Sequence, residues 1–223
     1  MCGRFTLTSD STSFIEMLPG FNLPESLSAR YNIAPTQDVT VAANSGHSKL
    51  ELFHWGLIPS WAKDPRIGNR MINARSETLG NRPSFRHAYR HRRCFVLADG
   101  YYEWRTEPGG GPKTPYYIRM ASEKPFLFAG LWETWQPPEE EKPVLSCTII
   151  TCPANELLER IHHRMPVILD PETYDLWLDT DERGSRNLDH LLQPYPAEEM
   201  MIHAVSRLVN HPKNNSADCI QPV

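Results

Sequence analysis

The chain has 223 residues, 40% of them hydrophobic and 22% charged, with a formal net charge of −4. That length allows one sizeable core, and the composition is that of a globular chain, neither disordered nor fibrous. No apolar run approaches the roughly 20 residues of a membrane helix, and the start MCGRFTLTSD has neither an apolar stretch nor a small-residue cleavage site, so the expectation is a cytoplasmic protein with no membrane contact.

Asp10 to Leu18 predicts a short helix, with polar cap candidates at its start and Pro19-Gly20 as its stop. The segment Arg30 to Pro35 reads as irregular, stiffened by its proline. Val39 to Ala43 and Leu50 to Trp55 read as strands around a turn at Asn44-Ser45-Gly46. Gly56 to Arg70 holds two prolines and a further glycine and reads as a long loop carrying Trp61, and Ser84 to His91 as a short basic helix. Strands are expected at Cys94 to Ala98 and Tyr101 to Trp104, with Asp99-Gly100 as a turn between them. A Gly-rich tip, Pro108 to Pro112, leads into a strand at Pro115 to Met120.

Phe126 to Trp132 and Val144 to Cys152 are apolar strands separated by a Pro/Glu loop. Helices are expected at Asn155 to Ile161, Pro171 to Leu178 and Asn187 to Leu192, and strands at Pro166 to Leu169 and Met200 to Ser206. Many short strands with helices inserted predict an α+β fold, mostly antiparallel, whose sheet curls into a barrel-like form, in a single domain over residues 1–223.

Five cysteines, Cys2, Cys94, Cys147, Cys152 and Cys219, are an odd number without a CxxC pair, as free thiols in a reducing compartment would be. Cys94, Cys147 and Cys152 lie in apolar runs and read as buried small hydrophobes. The nine histidines show no metal-ligand spacing, so no metal or other cofactor is expected. Between Lys63 and Arg93 stand nine basic residues (Lys63, Arg66, Arg70, Arg75, Arg82, Arg86, Arg90, Arg92 and Arg93) against Asp64 and Glu77. Acid is concentrated elsewhere, at Glu133 and Glu139 to Glu141. A local basic surface rich in arginine suits a phosphate backbone even when the net charge is negative.

The chemistry concentrates at Met1-Cys2-Gly3. Removal of Met1 would give Cys2 an amine and a thiol on adjacent carbons, a pair that condenses with an aldehyde to an imine and then closes a thiazolidine. An α-amine with a pKa of about 7.7–8.0 is partly neutral at physiological pH, and a thiol near 8.5 is a strong nucleophile as its minority thiolate. Class II glutamine amidotransferases also begin Met-Cys-Gly, so an N-terminal-cysteine glutamine amidohydrolase is an alternative, and a non-catalytic binder of modified or single-stranded DNA is another.

The blocks CGRF (2–5), RYNIAP (30–35), HWGLIPSW (54–61), INARSET (72–78), LADGYYEW (97–104) and IHHRMP (161–166), with a C-terminal block from AVSRLVN to IQPV, resemble the SRAP (SOS-response-associated peptidase) family of abasic-site processing proteins, in family order and from end to end. The resemblance implies a covalent cross-link between Cys2 and the ring-opened aldehyde of abasic sites in single-stranded DNA, made by a monomer that is nucleoid-associated when bound to DNA. It implies Asn73 as the residue positioning Cys2, Glu103 as the acid/base that opens the closed sugar, and His162 rather than His163 as the catalytic histidine. It further implies Arg4, Arg75, Trp61, Trp104 and Thr151 as DNA contacts. Trp61, Trp104 and Tyr101 offer flat faces for stacked bases or, equally, for core packing. Met1 would be removed autocatalytically, the sense of "peptidase" here, or by an ordinary aminopeptidase.

Overall fold

The computed structural model describes residues 2–138, 142–179 and 184–223, with side chains at all of these except 184–187. Met1 and the acidic run Glu139 to Glu141 lie outside the described residues. The strands in chain order are β1 (Phe5–Leu7), β2 (Arg30–Ile33), β3 (Asp38–Ala43), β4 (Glu51–Trp55), β5 (Asn73–Arg75), β6 (Arg93–Ala98), β7 (Gly100–Arg105), β8 (Thr114–Met120), β9 (Phe126–Trp135), β10 (Val144–Pro153), β11 (Arg164–Pro166) and β12 (Met200–Ala204). Two short α-helices, α1 (Arg86–His91) and α2 (Tyr174–Leu178), flank them.

One sheet closes on itself. β10 pairs antiparallel with β9 from Val144↔Trp135 to Ile149↔Gly130, and its other edge pairs parallel with β4 at Ser146↔His54 and Cys147↔Trp55. With the β4–β3, β3–β6 and β6–β9 pairings this makes a ring of five strands. Each edge of β10 then continues with a second partner: β5 after β4 (Ile149↔Asn73, Thr151↔Arg75) and β11 after β9 (Thr151↔Pro166). The second sheet runs β12-β8-β7-β1-β2. Phe5 of β1 ties the two sheets, edge-on to Trp55 at 5.1 Å and to Phe128 at 5.8 Å. Every residue of β6 is buried, which is why RCFVLA shows no polar alternation. The α+β, mostly antiparallel, curled architecture is therefore as the sequence predicted.

Several local expectations change. Asp99-Gly100 is not a hairpin turn: β6 pairs with β3 and β9, whereas β7 pairs with β1 and β8. The Asp99 carboxylate accepts the backbone N–H groups of Thr8 and Ser9 and the Thr8 and Ser9 hydroxyls, which fastens the N-terminal segment. Gly100 is required by close packing, since a Cβ there would lie 2.1 Å from the Tyr117 hydroxyl. Arg30–Ile33 is a strand, held by Asn32, whose amide donates to the carbonyls of Val209 (3.2 Å), His211 (3.1 Å) and Asn214 (2.7 Å). Residues 155–161 form turns and not a helix; the Asn155 side chain takes the Leu158 N–H at 3.0 Å, offering the backbone a local alternative to helix continuation. The helix expected from Asp10 contracts to a 3₁₀ turn, Ser11–Phe14, with Asp10 as its cap.

Candidate active site

The start of the chain, β5 and the middle of β7 meet around Cys2. β1 pairs antiparallel with β7 (Phe5↔Tyr101), so the residues before Phe5 run alongside Glu103. Cys2 is fully buried and shares one apolar cluster with Phe5 and Tyr101. The Asn73 side-chain amide, presented by β5, donates to the Cys2 carbonyl at 2.7 Å, while Asn73 Oδ1 is buried and has no hydrogen-bond partner among the described residues. Segments far apart in sequence thus converge on one cysteine.

Electrostatics around this cysteine are set by burial. Burial raises the Cys2 thiol pKa above its ordinary value and the Glu103 charge raises it further, with the Arg4 backbone amide acting in the opposite sense. Glu103 is itself buried, and the loss of hydration raises its pKa. A carboxyl shifted this way is more easily protonated near neutral pH, as a proton carrier requires.

His162 lies on the turn between β10 and β11, half-buried, and its ring stacks on exposed His163 at 4.4 Å. Its Nδ1 accepts the Arg164 backbone N–H at 3.0 Å. Burial lowers its pKa to about 4, so the ring is neutral at physiological pH. Lys113, at the end of the Gly-rich tip, is exposed and its charge acts on both Glu103 and His162. Sequence reasoning misses Lys113, for which the adjoining glycine run is the only signal. It also misses Arg164, although Arg164 stands inside the IHHRMP block. The Arg164 guanidinium pairs bidentately with Glu77 and donates to the Thr151 carbonyl and hydroxyl.

The residues expected at DNA divide by exposure. Arg75 is exposed on β5 and Trp61 is 59% exposed. Arg4 is half-buried, with Nη1 donating to Asn32 Oδ1 (2.8 Å) and the Val209 carbonyl (2.7 Å), and its guanidinium lies 5.7 Å from the centre of the Trp104 ring. Trp104 Nε1 donates to Asn210 at 2.8 Å. Thr151 is fully buried, with its hydroxyl between Ala74 and Arg164, so its side chain does not reach the surface. Tyr101 is also fully buried and offers no stacking face.

The basic segment is less uniform than its sequence. Arg93 is a buried structural residue, donating to the carbonyls of Trp177, Tyr89 and Arg90. Arg92 pairs with Glu133, and Arg66 with Asp64. Arg75, Arg82, Arg86 and Arg90 are exposed, and their side chains make no ion pair or hydrogen bond among the described residues. All five cysteines are free and buried.

The fold thus brings a buried cysteine, an asparagine amide and a buried carboxyl together at the start of the chain. The family model described as SOS response associated peptidase (SRAP) matches residues 1–212. The chain belongs to that family. It is 46% identical over 228 residues to the abasic site processing protein YoqW of Bacillus subtilis, covering 99% of each chain. It is 32% identical to the abasic site processing protein YedK of Escherichia coli over the whole of both, and 36% identical to HMCES of Gallus gallus over 81% of this chain and 60% of that one. A crystal structure of a protein from Bacteroides thetaiotaomicron superposes with a TM-score of 0.86, covering all of both chains at 25% identity.

Proposed function

We propose that this protein processes abasic sites in single-stranded DNA by joining Cys2 covalently to the open-chain aldehyde of the base-less sugar, acting as a monomer in the cytoplasm, at the nucleoid. The convergence of Asn73 and Glu103 on Cys2 carries the proposal, and the names of the relatives supply the substrate class.

Once Met1 is removed, autocatalytically or by an aminopeptidase, the Cys2 nitrogen becomes an amine. Asn73 Oδ1, without a partner among the described residues, is an acceptor suited to that amine, and as a neutral amide it does not raise the amine pKa as a carboxylate would. Glu103 moves the proton that opens the cyclic sugar to its aldehyde. The amine adds to the aldehyde carbon and water leaves, giving an imine. The thiol sulfur then adds to the imine carbon while a proton passes to nitrogen, closing the thiazolidine, so that one water is lost overall. His162 donates a hydrogen bond to the sugar oxygen as the ring opens. Arg75 and Trp61 hold the flanking strand, by phosphate pairing and base stacking.

Incubation of the processed protein with an abasic oligonucleotide tests this. The expected product survives denaturing electrophoresis, carries the mass of protein plus DNA less one water, and is lost in Cys2→Ala. Ammonia release from glutamine with no DNA adduct would identify the amidohydrolase instead, and DNA binding that Cys2→Ala leaves intact, with no adduct, would identify a plain binder.

A further inference from the structure

Beside the acid of the site stands an aromatic ring that the proposed reaction does not use. Glu103 on β7 is paired with Tyr116 on β8. Residues directly opposite in an antiparallel pair send their side chains to the same face, with Cβ atoms about 4.5–5.5 Å apart. The next pair inward on that face, Tyr101↔Ile118, is fully buried, and the next pair outward, Arg105↔Thr114, is half-buried. At Glu103 and Tyr116 the sheet face therefore passes from core to surface, with the carboxyl buried and the ring half-buried. The row ends on both sides in a small residue. Tyr102 N–H donates to the Arg4 carbonyl at 2.9 Å, which carries the β1–β7 register on and places Gly3 opposite Glu103. Ala204 of β12 is the other partner of Tyr116. Neither has a side chain beyond Cβ, so carboxyl and ring rise together between two low shoulders. Arg105 steadies the ring, its guanidinium 4.9 Å from the ring centre and its Nη2 3.1 Å from each carboxylate oxygen of Glu107.

We infer that Tyr116 is the residue by which the site recognises a missing base: its ring takes the place of that base, and the neighbouring base of the strand stacks on it. This rests on the reading that the sugar brings its C1′ carbon to Cys2 and Glu103. In an intact nucleotide C1′ carries the base, so a bulky side chain directly beside Glu103 competes with a base for the same volume. The buried Tyr101–Ile118 pair closes the way inward. A base-less strand has a gap of one base in its stack, and a flat ring that fills the gap supplies a stacking contact that the free strand lacks. An intact nucleotide gains no such contact and must displace the ring. Phosphate pairing at Arg75 and stacking on Trp61 serve any strand alike, so discrimination needs a further group next to the acid.

The test compares the processed parent with Tyr116→Ala in binding two labelled single strands that differ at one position. One strand carries tetrahydrofuran there, a base-less analogue without an aldehyde, and the other carries thymidine. Neither forms an adduct, so the affinities read recognition alone. The parent should prefer the tetrahydrofuran strand, and Tyr116→Ala should lose about tenfold in affinity for that strand, the order of one stacking contact, with little change for the thymidine strand. The fluorescence of 2-aminopurine placed next to the tetrahydrofuran should be quenched by the parent and not by the variant. A tyrosine that only props the sheet would leave that quenching in place. Tyr116→Trp should keep the quenching, and Tyr116→Leu, which has bulk without a flat face, should lose it and serves if the alanine variant folds poorly. A parent without preference, or an equal fall for both strands, overturns the inference. A preference that depends on Tyr116 in a protein that forms no adduct with the true abasic aldehyde would overturn the proposed cross-link and leave this inference standing.

Discussion

The Arg164 backbone N–H lies 3.0 Å from Nδ1 of His162, closer than the Arg164 carbonyl at 3.3 Å, which favours that nitrogen as the acceptor with the proton of the neutral ring on Nε2. The same arginine holds Glu77 with its side chain. One residue thereby contacts Nδ1 of the histidine through its backbone and braces the turn that carries it through its side chain.

Nitrogen-detected NMR of the imidazole should show the Nε2–H tautomer down to about pH 4, where burial has lowered the pKa from 6.5. The unfolded chain binds this proton first, so His162 removes stability as pH falls from 6.5 towards about 4. His162→Gln should flatten the stability–pH curve over that window. A ring already protonated at pH 6 would contradict the lowered pKa, and a neutral ring with its proton on Nδ1 would contradict the tautomer.

Glu77→Ala leaves the Arg164 guanidinium buried with one partner fewer. Because Glu77 itself is 47% exposed, the expected loss is about 1–2 kcal/mol, less than the roughly 3–5 kcal/mol of a broken fully buried pair. Hydrogen bonds from Arg164 hold the Glu77 carboxyl below its ordinary pKa. Its contribution is thus full above the unfolded carboxylate range and disappears as pH drops through the depressed value. Urea titrations of parent and variant at neutral and acid pH should converge at the acid end.

Asp99→Ala removes the acceptor for two backbone amides and two hydroxyls in Thr8 and Ser9. About 2–3 kcal/mol of stability is expected to go. Hydrogen exchange should quicken at Thr8 and Ser9 more than in β9 or β10. Equal protection in parent and variant would show that β1 is held by its strand partners alone.

Arg86→Gln with Arg90→Gln should weaken single-stranded DNA binding and lower the slope of log affinity against log salt by about 0.7 for each phosphate no longer neutralised. The fold should be untouched, because both side chains are exposed. Arg93→Met, in the same basic run, should destabilise the protein strongly, since it removes three hydrogen bonds, two of them buried. An unaltered salt slope in the double variant would confine DNA contact to Arg75 and its neighbourhood.

Trp61→Ala tests stacking. With 59% of the residue exposed, truncation should cost little stability yet reduce single-strand affinity by about 1–3 kcal/mol per stacked base. Tryptophan fluorescence quenching on DNA addition, compared between parent and variant, reads the contact directly.

Some of this was legible along the chain because the signals are local. Alternating and continuous apolar runs marked β3, β4, β6, β8, β9 and β10, and the motif blocks singled out Cys2, Asn73, Glu103 and His162. The three-residue strands β1, β5 and β11 carry no such pattern, since hydrogen bonds to β7 and β10, and not their own composition, make them strands. Asp99-Gly100 misled for the same reason: aspartate was chosen by Thr8 and Ser9, and glycine by the Tyr117 hydroxyl, all remote in sequence.

The sequence by itself determined which chemical groups exist: a cysteine behind the first methionine, a carboxyl and a histidine within their motif blocks, and an arginine-rich segment. Only the tertiary structure decided which of those groups meet and in what state. Burial against distant strands is what raises the Cys2 and Glu103 pKa values and lowers that of His162. It also sorts the arginines into a buried brace at Arg93, partners of nearby acids, and free cations on the surface. Desolvation and pairing depend on what lies within a few ångströms in space, and a linear order of residues does not contain that distance.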